Sequence, residues 1–328
     1  MKNTYYDNTR LTDFKTCPRY FYFRHERDWI ADTLRIPLAF GLAWHHALDV
    51  VWEQLSDAKN LRTQAVADDA FKAWLASWEE SGLQADIDPL DDDFKMRNPG
   101  TALDMLYAYI DWRRPFFQEP SFKLLDIEHA FAVPLSSDPN ERTFYVGRFD
   151  KVFSIRDHIY VGEHKISSLY KKDGGFRSNF LDSFSPNSQI DGYLYAAHML
   201  YGDAAKAVWV DAALVHRSVH DAFTIIPVER QFAQLDAWLW ETKYWIGQVE
   251  ANRDLARLQG PVPTYLPTFG KNTNNCIDFG TTCPYMPLCK MFSNPEAQQE
   301  TPMGFIEEHW SPFNVLGLKE LDLEQGDD

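Results

Sequence analysis

The stretch on which the reading turns is GRFDKVFSIRDHIYVGEHK, residues 147–165. Apolar and polar residues alternate on either side of Arg156-Asp157, the pattern of two strands joined by a tight turn. Side chains alternate along a strand, so Glu163 and Lys165 share one face and His164 points to the other. The register then follows from arithmetic. A two-residue turn at Arg156-Asp157 pairs Ile155 with His158, and all facing residue numbers sum to 313. Asp150 and Glu163 have that sum, which sets them across the ladder with Cβ atoms about 5 Å apart. A three-residue turn would put them on opposite faces. Arg-Asp is not a favoured primed-turn dipeptide, so the register is an expectation for the structure to test.

Two carboxylates this close repel, and one takes up a proton unless a cation lies between them. A hard divalent ion with oxygen ligands, Mg²⁺ or Mn²⁺, suits the pair. Lys165, on the same face, is placed to orient a water or to stabilise negative charge on a phosphate. The alternative reading of these residues is a salt-bridge cluster on an exposed sheet face.

Working outward, FKLLDIEHAFAVPL (122–135), residues 143–155 and residues 158–166 read as three strands in meander order. AVWVDAALVHRS (207–218) and AFTIIPVE (222–229) read as two more. A helix capped at Thr12 or Asp13 is expected to run into CPRYFYFRHERDW, and a second to run from about Phe40 through Leu55. Residues 62–81 have helical periodicity with Ala65, Ala70, Trp74 and Trp78 inward. A Gly/Pro/Asp-rich loop precedes a helix at about 100–115. Further helices are expected at 187–201, with Ser185 as N-cap, and at 231–253. Strands between helices on both sides predict an α/β fold with a mixed central sheet flanked by helices.

The bulk composition bounds the function. No run of about 18 apolar residues suggests a membrane span, and the start of the chain lacks the basic and apolar segments of a signal peptide, so the expected location is cytoplasmic, with no membrane partner. The net charge of −16 argues against strong non-specific duplex binding. Part of the excess lies in the tail, at Glu320, Asp322, Glu324, Asp327 and Asp328. Four cysteines in such a chain point to metal binding or catalysis and not to a disulfide framework.

Asp150, Glu163, His164 and Lys165 together resemble the D…(D/E)-x-K core of the PD-(D/E)XK nuclease superfamily. GLAWHHAL (41–48) matches the G-x-x-x-H-x-x-L of its RecB-like branch, and QIDGY (189–193) matches Q-x-x-x-Y. The motifs occur in the order of that branch. Glu128 is placed like an acidic residue often seen on the preceding strand, a weaker match. The resemblance implies a metal-dependent DNA exonuclease acting on DNA ends, with single-stranded DNA preferred. His45, Asp150, Glu163 and the carbonyl of His164 would hold Mg²⁺ or Mn²⁺. Lys165 would position or help activate water, and Gln189 and Tyr193 would orient DNA or Lys165. Two alternatives stay open: a DNA-trimming nuclease of the CRISPR-adaptation kind working in a complex, and a catalytically idle DNA-end-binding protein with a structural metal.

The resemblance also gives the cysteines a role. Some RecB-like nucleases, including the AddB subunit and CRISPR-associated exonucleases, bind a [4Fe–4S] cluster through one N-terminal and three C-terminal cysteines. CPRYFYFRH (17–25) and CIDFGTTCPYMPLC (276–289) look like those halves, which implies Cys17, Cys276, Cys283 and Cys289 as ligands. Thiolates suit Zn²⁺ as well, and spacing alone does not choose. The C-x6-C gap is longer than in many relatives, which draws attention to the loop around Gly280. A link from Cys17 to Cys276 would close nearly the whole core, worth about 5 kcal/mol if treated like a disulfide loop. Residues 1–59 and 119–292 would form the nuclease core, 60–118 a helical insertion suited to a protein partner, and 293–328 a C-terminal extension. Tyr20, Phe21, Tyr22 and Phe23 are expected mainly to pack around the cluster, with base stacking as the alternative.

Overall fold

The computed structural model describes residues 3–33, 35–58, 60–86, 94–138, 140–171, 175–259, 264–278 and 281–317. The expectations at Gly280 and in the acidic tail lie outside these residues. The chain divides into two compact units. The first comprises Met1–Thr33, Ala130–Gly147 and Phe232–Asp328, and the second Leu34–His129 and Arg148–Gln231.

In chain order the principal elements begin with β1 (Thr4–Tyr6), α1 (Asn8–Thr16), α2 (Pro18–Phe21) and β2 (Trp29–Ala31). Next come α3 (Ile36–Asp57), α4 (Thr63–Glu80), α5 (Pro99–Phe117), β3 (Phe122–Pro134), β4 (Thr143–Ile155) and β5 (His158–Ser167). After these lie α6 (Ser178–Asp182), α7 (Ser188–Tyr201), β6 (Ala205–Leu214), β7 (Phe223–Val228) and α8 (Phe232–Gln259). Among the described residues no helix is long and apolar enough to cross a membrane.

The second unit is a mixed sheet with helices on both faces. Residues of β4 pair antiparallel with β5, β5 pairs parallel with β6, and β6 pairs antiparallel with β7. Pro227 sits in β7, at the edge of the sheet, where a missing N–H leaves no ladder bond unmade. Residues Tyr160 and Ile166 of β5 and Trp209 and Ala213 of β6 face the core made with α3, α4 and α5. Glu163 and Lys165, of the opposite parity, meet Gln189 of α7. The alternation of β5 therefore assigns α3 and α5 to one face and α7 to the other.

Helix α4 packs on α3 through Val66, Ala67, Ala70, Trp74 and Trp78, all fully buried. Ala70, Trp74 and Trp78 are inward as expected. Ala65 is exposed, because the groove of α3 is met by the 66/67/70/74 stripe, one residue further round. Tyr109, Ile110 and Arg113 of α5 turn into the same core.

Local signals shift three other boundaries. Helix α1 begins at Asn8, because Asp7 accepts the Arg10 amide at 2.7 Å and acts as cap. Asp13 lies inside α1 and pairs with Arg24 (3.2 Å) and His25 (2.8 Å). Cys17 interrupts the run with extended backbone, as expected of a residue whose α region is closed by a following proline, here Pro18. Asn187, not Ser185, caps α7, accepting from the amides of Gln189 (3.0 Å) and Ile190 (3.2 Å).

In the first unit the two ends of its sequence meet around Cys17. The Asn272 amide donates to Cys17 Sγ at 3.2 Å, and Arg19 Nε donates to the Phe269 carbonyl at 3.0 Å. Phe21, Tyr22 and Phe23 are buried, and Phe23 stacks on Tyr285 with centroids 5.3 Å apart. Of the four aromatics named from the sequence, these three are core, and Tyr20 is half-buried.

Trp74→Ala is expected to destabilise the protein by about 3–5 kcal/mol in urea denaturation, because it empties the α3–α4 seam. Ala65→Ser on the same helix should stay within about 0.5 kcal/mol of wild type.

Candidate active site

The β4–β5 ladder pairs Lys151 with Gly162 and runs in the same register to Ile155 and His158 at the turn. Arg156 and Asp157 both have positive φ, at 49° and 67°, the geometry of a primed two-residue turn. The ladder pairing ends at Lys151–Gly162, and the same register continued one step sets Asp150 opposite Glu163. The amide of His164, next to Glu163, donates to Asp150 Oδ2 at 2.6 Å.

His45 comes from α3. Its Nδ1 lies 3.4 Å from Asp150 Oδ2, whereas His46, one residue on, is exposed. Glu128 of β3 joins them: His45, Glu128 and Asp150 each offer a ligand atom within 4.8 Å of the others. Glu128 has φ of 54° inside a strand, a left-handed backbone that costs about 1–3 kcal/mol and redirects the side chain. Arg148 Nη1 stands 3.5 Å from the other side of this carboxylate.

Glu163 belongs to a second, adjoining group. Its Oε1 accepts from Lys165 Nζ at 2.5 Å and from Gln189 Nε2 at 3.0 Å. Lys165 also donates to Gln189 Oε1 at 3.1 Å. Gln189 Nε2 reaches Tyr193 Oη at 3.3 Å, and the Tyr193 hydroxyl donates to the Arg148 carbonyl at 2.8 Å. Gln189 and Tyr193 thus share one face of α7, as their spacing of four requires. Glu163 Oε2 is buried and has no hydrogen-bond partner among the described residues.

The electrostatics follow from this crowding. Burial and the Asp150 charge push the Glu163 carboxyl up to about 7. Burial alone would raise Asp150 too, but His45 beside it, with His164 and Lys151 beyond, holds it well below the usual carboxylate range. Burial opposes charge on His45, and Asp150 outweighs it, raising the imidazole. Burial would also lower Lys165, yet Glu163 keeps its ammonium above the ordinary range. Burial, Asp150 and Asp49 raise Glu128. The site therefore holds crowded carboxylates, one orphaned buried oxygen and an imidazole drawn to an acid, a donor set that suits a hard divalent cation. Lys165, kept charged, acts as a donor and a cation.

Residues missed by the sequence reading surround the site. Lys151 is wholly buried, donates to Asp49 and bonds the Asp150 carbonyl at 3.0 Å. Asp49 follows His45 by one helical turn, a spacing that could have drawn attention to it. Asp211, the one acidic residue of β6, is buried beside His164.

Cys17, Cys276, Cys283 and Cys289 all lie in the first unit, half-buried and in no disulfide. Burial raises the thiols of Cys283 and Cys289, and each also feels the charge of Cys17. Arg19 lies within electrostatic reach of Cys289 and Cys17.

A family model described as the PD-(D/E)XK nuclease superfamily matches residues 8–290, a span that includes the residues of both groups above and all four cysteines. No curated protein matches the chain.

Glycine tolerates the backbone that Glu128 strains, and its introduction removes a carboxylate from a crowded acidic group. Glu128→Gly is therefore expected to hold or raise the melting temperature while weakening Mn²⁺ binding about tenfold by calorimetry. A variant that melts lower and binds Mn²⁺ as wild type does would contradict both roles.

Proposed function

The chain belongs to the PD-(D/E)XK nuclease superfamily, and we propose that within it this protein is a RecB-like deoxyribonuclease that hydrolyses phosphodiester bonds at DNA ends, with an iron–sulfur clasp. The observation that carries the nuclease reading is the approach of His45, Glu128 and Asp150 to within 4.8 Å, beside Glu163 with its orphaned oxygen and the Lys165 ammonium. His45, Asp150, Glu163 and the His164 carbonyl, with Glu128, would hold Mg²⁺ or Mn²⁺. When bound, the ion supplies Lewis-acid polarisation of the phosphate and acidifies water.

The remaining steps belong to side chains. Lys165 presents its ammonium where an attacking water or a phosphate oxygen would lie, as a donor that strengthens with developing negative charge. Gln189 keeps that ammonium on Glu163, and Tyr193 fixes Gln189 through the Arg148 carbonyl. His45 and Glu163 must be deprotonated to act as ligands, so protons and cations compete for the site.

The RecB-like assignment rests on Gly41, His45 and Leu48 and on Gln189 and Tyr193, and the preference for single-stranded ends comes with that likeness. A net charge of −16 favours a substrate engaged at few phosphates. The clasp is supported by four thiols in one unit, by the Asn272 N–H aimed at Cys17 Sγ, and by Arg19 as a nearby positive charge. Hydrogen bonds to sulfur and local charge are what tune such clusters.

End-labelled single-stranded DNA with Mn²⁺ should be degraded from its ends by the wild type and at least about 100-fold more slowly by Lys165→Ala, an effect of the size seen when a transition-state donor is removed. Intact DNA with the wild type would instead favour an idle end-binding protein. Anaerobically purified protein should contain iron and acid-labile sulfide, and Cys17→Ser should lose both and melt earlier. Zinc in their place would replace the cluster by a zinc clasp.

A further inference from the structure

Behind the catalytic strand lies a buried polar network that the hydrolytic groups do not use. His164 and Asp211 are partners in the parallel ladder of β5 and β6. The Asp211 carboxylate is 3% exposed and accepts from the Tyr109 hydroxyl at 2.7 Å. Arg113 Nε stands 3.4 Å from the same oxygen, and His164 Nδ1 stands 3.9 Å from it. Tyr109 in turn accepts from Trp52 Nε1 at 3.0 Å. Trp52 lies on α3, two turns beyond His45, and its ring is 5.9 Å from that of His164. The His164 ring is also 5.8 Å from His45. Burial keeps His164 neutral, with Lys151 adding to the effect, and both its ring nitrogens lack hydrogen-bond partners among the described residues.

Residue 164 has two faces of consequence. Its amide holds the Asp150 carboxylate at 2.6 Å, and its peptide neighbours are Glu163 and Lys165. In a strand, fixing a side chain on one face sets the peptide planes from which the residues on the other face project. We infer that Asp211, held by Tyr109 and Arg113, is a positioning residue: as the ladder partner of His164, with its carboxylate 3.9 Å from the His164 ring, it limits where that side chain can lie and so helps set the Asp150–Glu163 geometry that takes the metal ion. This rests on the metal-dependent reading of the site. It also gives α5 a part in the active site, because Tyr109 and Arg113 are four residues apart on its inward face.

Partners hydrogen-bonded to metal ligands typically change metal affinity by about 10- to 100-fold when removed, and groups acting through His164 without such a bond are expected at or below the lower end. Tyr109→Phe keeps the ring and deletes one hydrogen bond. Asp211→Asn keeps the shape and deletes the charge. Mn²⁺ binding is measured by calorimetry and electron paramagnetic resonance without DNA, on the full chain, with folding checked by circular dichroism. Tyr109→Phe is expected to raise the Mn²⁺ Kd about threefold and Asp211→Asn about tenfold. At fixed metal kcat should fall in parallel and recover at saturating metal, while KM for DNA moves less than twofold. Should Asp211→Asn fail to fold, the paired replacement Arg113→Met/Asp211→Leu removes both charges together and gives the same readout. Folded variants that melt earlier but bind Mn²⁺ within twofold of wild type would overturn the inference and leave the metal site standing. Asp150→Asn separates the two failures: if it leaves Mn²⁺ binding unchanged, the metal site itself is wrong and the positioning role falls with it.

Discussion

The closeness of Asp150 and Glu163, just beyond the last pair of the β4–β5 ladder, constrains most of what surrounds it. Neither carboxylate can move far, because Glu163 is paired with Val210 of β6, Asp150 directly precedes the Lys151–Gly162 pair, and the His164 amide holds one Asp150 oxygen. Their repulsion has to be met by other groups. His45 leans toward Asp150, Lys165 and Gln189 hold Glu163, and Lys151 is sunk beneath with Asp49. The result is two neighbouring carboxyls shifted in opposite directions: burial and the Asp150 charge push Glu163 up to about 7, while His45 holds Asp150 below the usual carboxylate range, a separation of the kind that clusters at functional sites.

That constraint explains why the site was partly legible in the sequence. Strand periodicity is an integer, so the turn at Arg156-Asp157 sets every later pair, and Glu163 and Lys165 could be placed on one face before any coordinates. The turn residues themselves were a poor guide. Arg and Asp adopt positive φ because the ladder on either side requires it, an instance of tertiary pairing overriding local preference. His45 is set apart from His46 by its place in the G-x-x-x-H-x-x-L likeness, and in the structure His45 lies near Asp150 while His46 is exposed. Glu128 was nearly illegible, because its position depends on a left-handed residue within a strand, and no neighbour in sequence announces that. Tyr109, Arg113 and Asp211 were illegible for another reason: they come from segments about a hundred residues apart, and only the fold brings them together.

The helical segment over 60–118 illustrates the same division. Its periodicity reads correctly as helices, but whether such helices are an appendage or part of a core is not a local property. Here α4 and α5 spend their apolar faces on α3, the helix that carries His45, and α5 sends two polar side chains to the strand next to β5. A segment that reads as an insertion thus packs its core on the helix that carries His45.

The path of the chain gives the cysteines a meaning that their spacing alone does not. The first unit is built from three segments and the second from two, with the segments alternating along the sequence. Both segments of the second unit lie between Cys17 and Cys276. A metal link joining those two thiols would therefore close a loop that contains every proposed catalytic residue. Loop-closure entropy grows only slowly with length, so the long loop costs little more to close than a medium one. It would restrict the unfolded chain across the whole nuclease sequence, and so stabilise the fold without touching the chemistry. Pro18 disfavours helical backbone at Cys17, whose sulfur accepts from the Asn272 amide, so the residue that would begin the proposed clasp is prepared by local backbone chemistry while its proposed partners come from the far end of the chain.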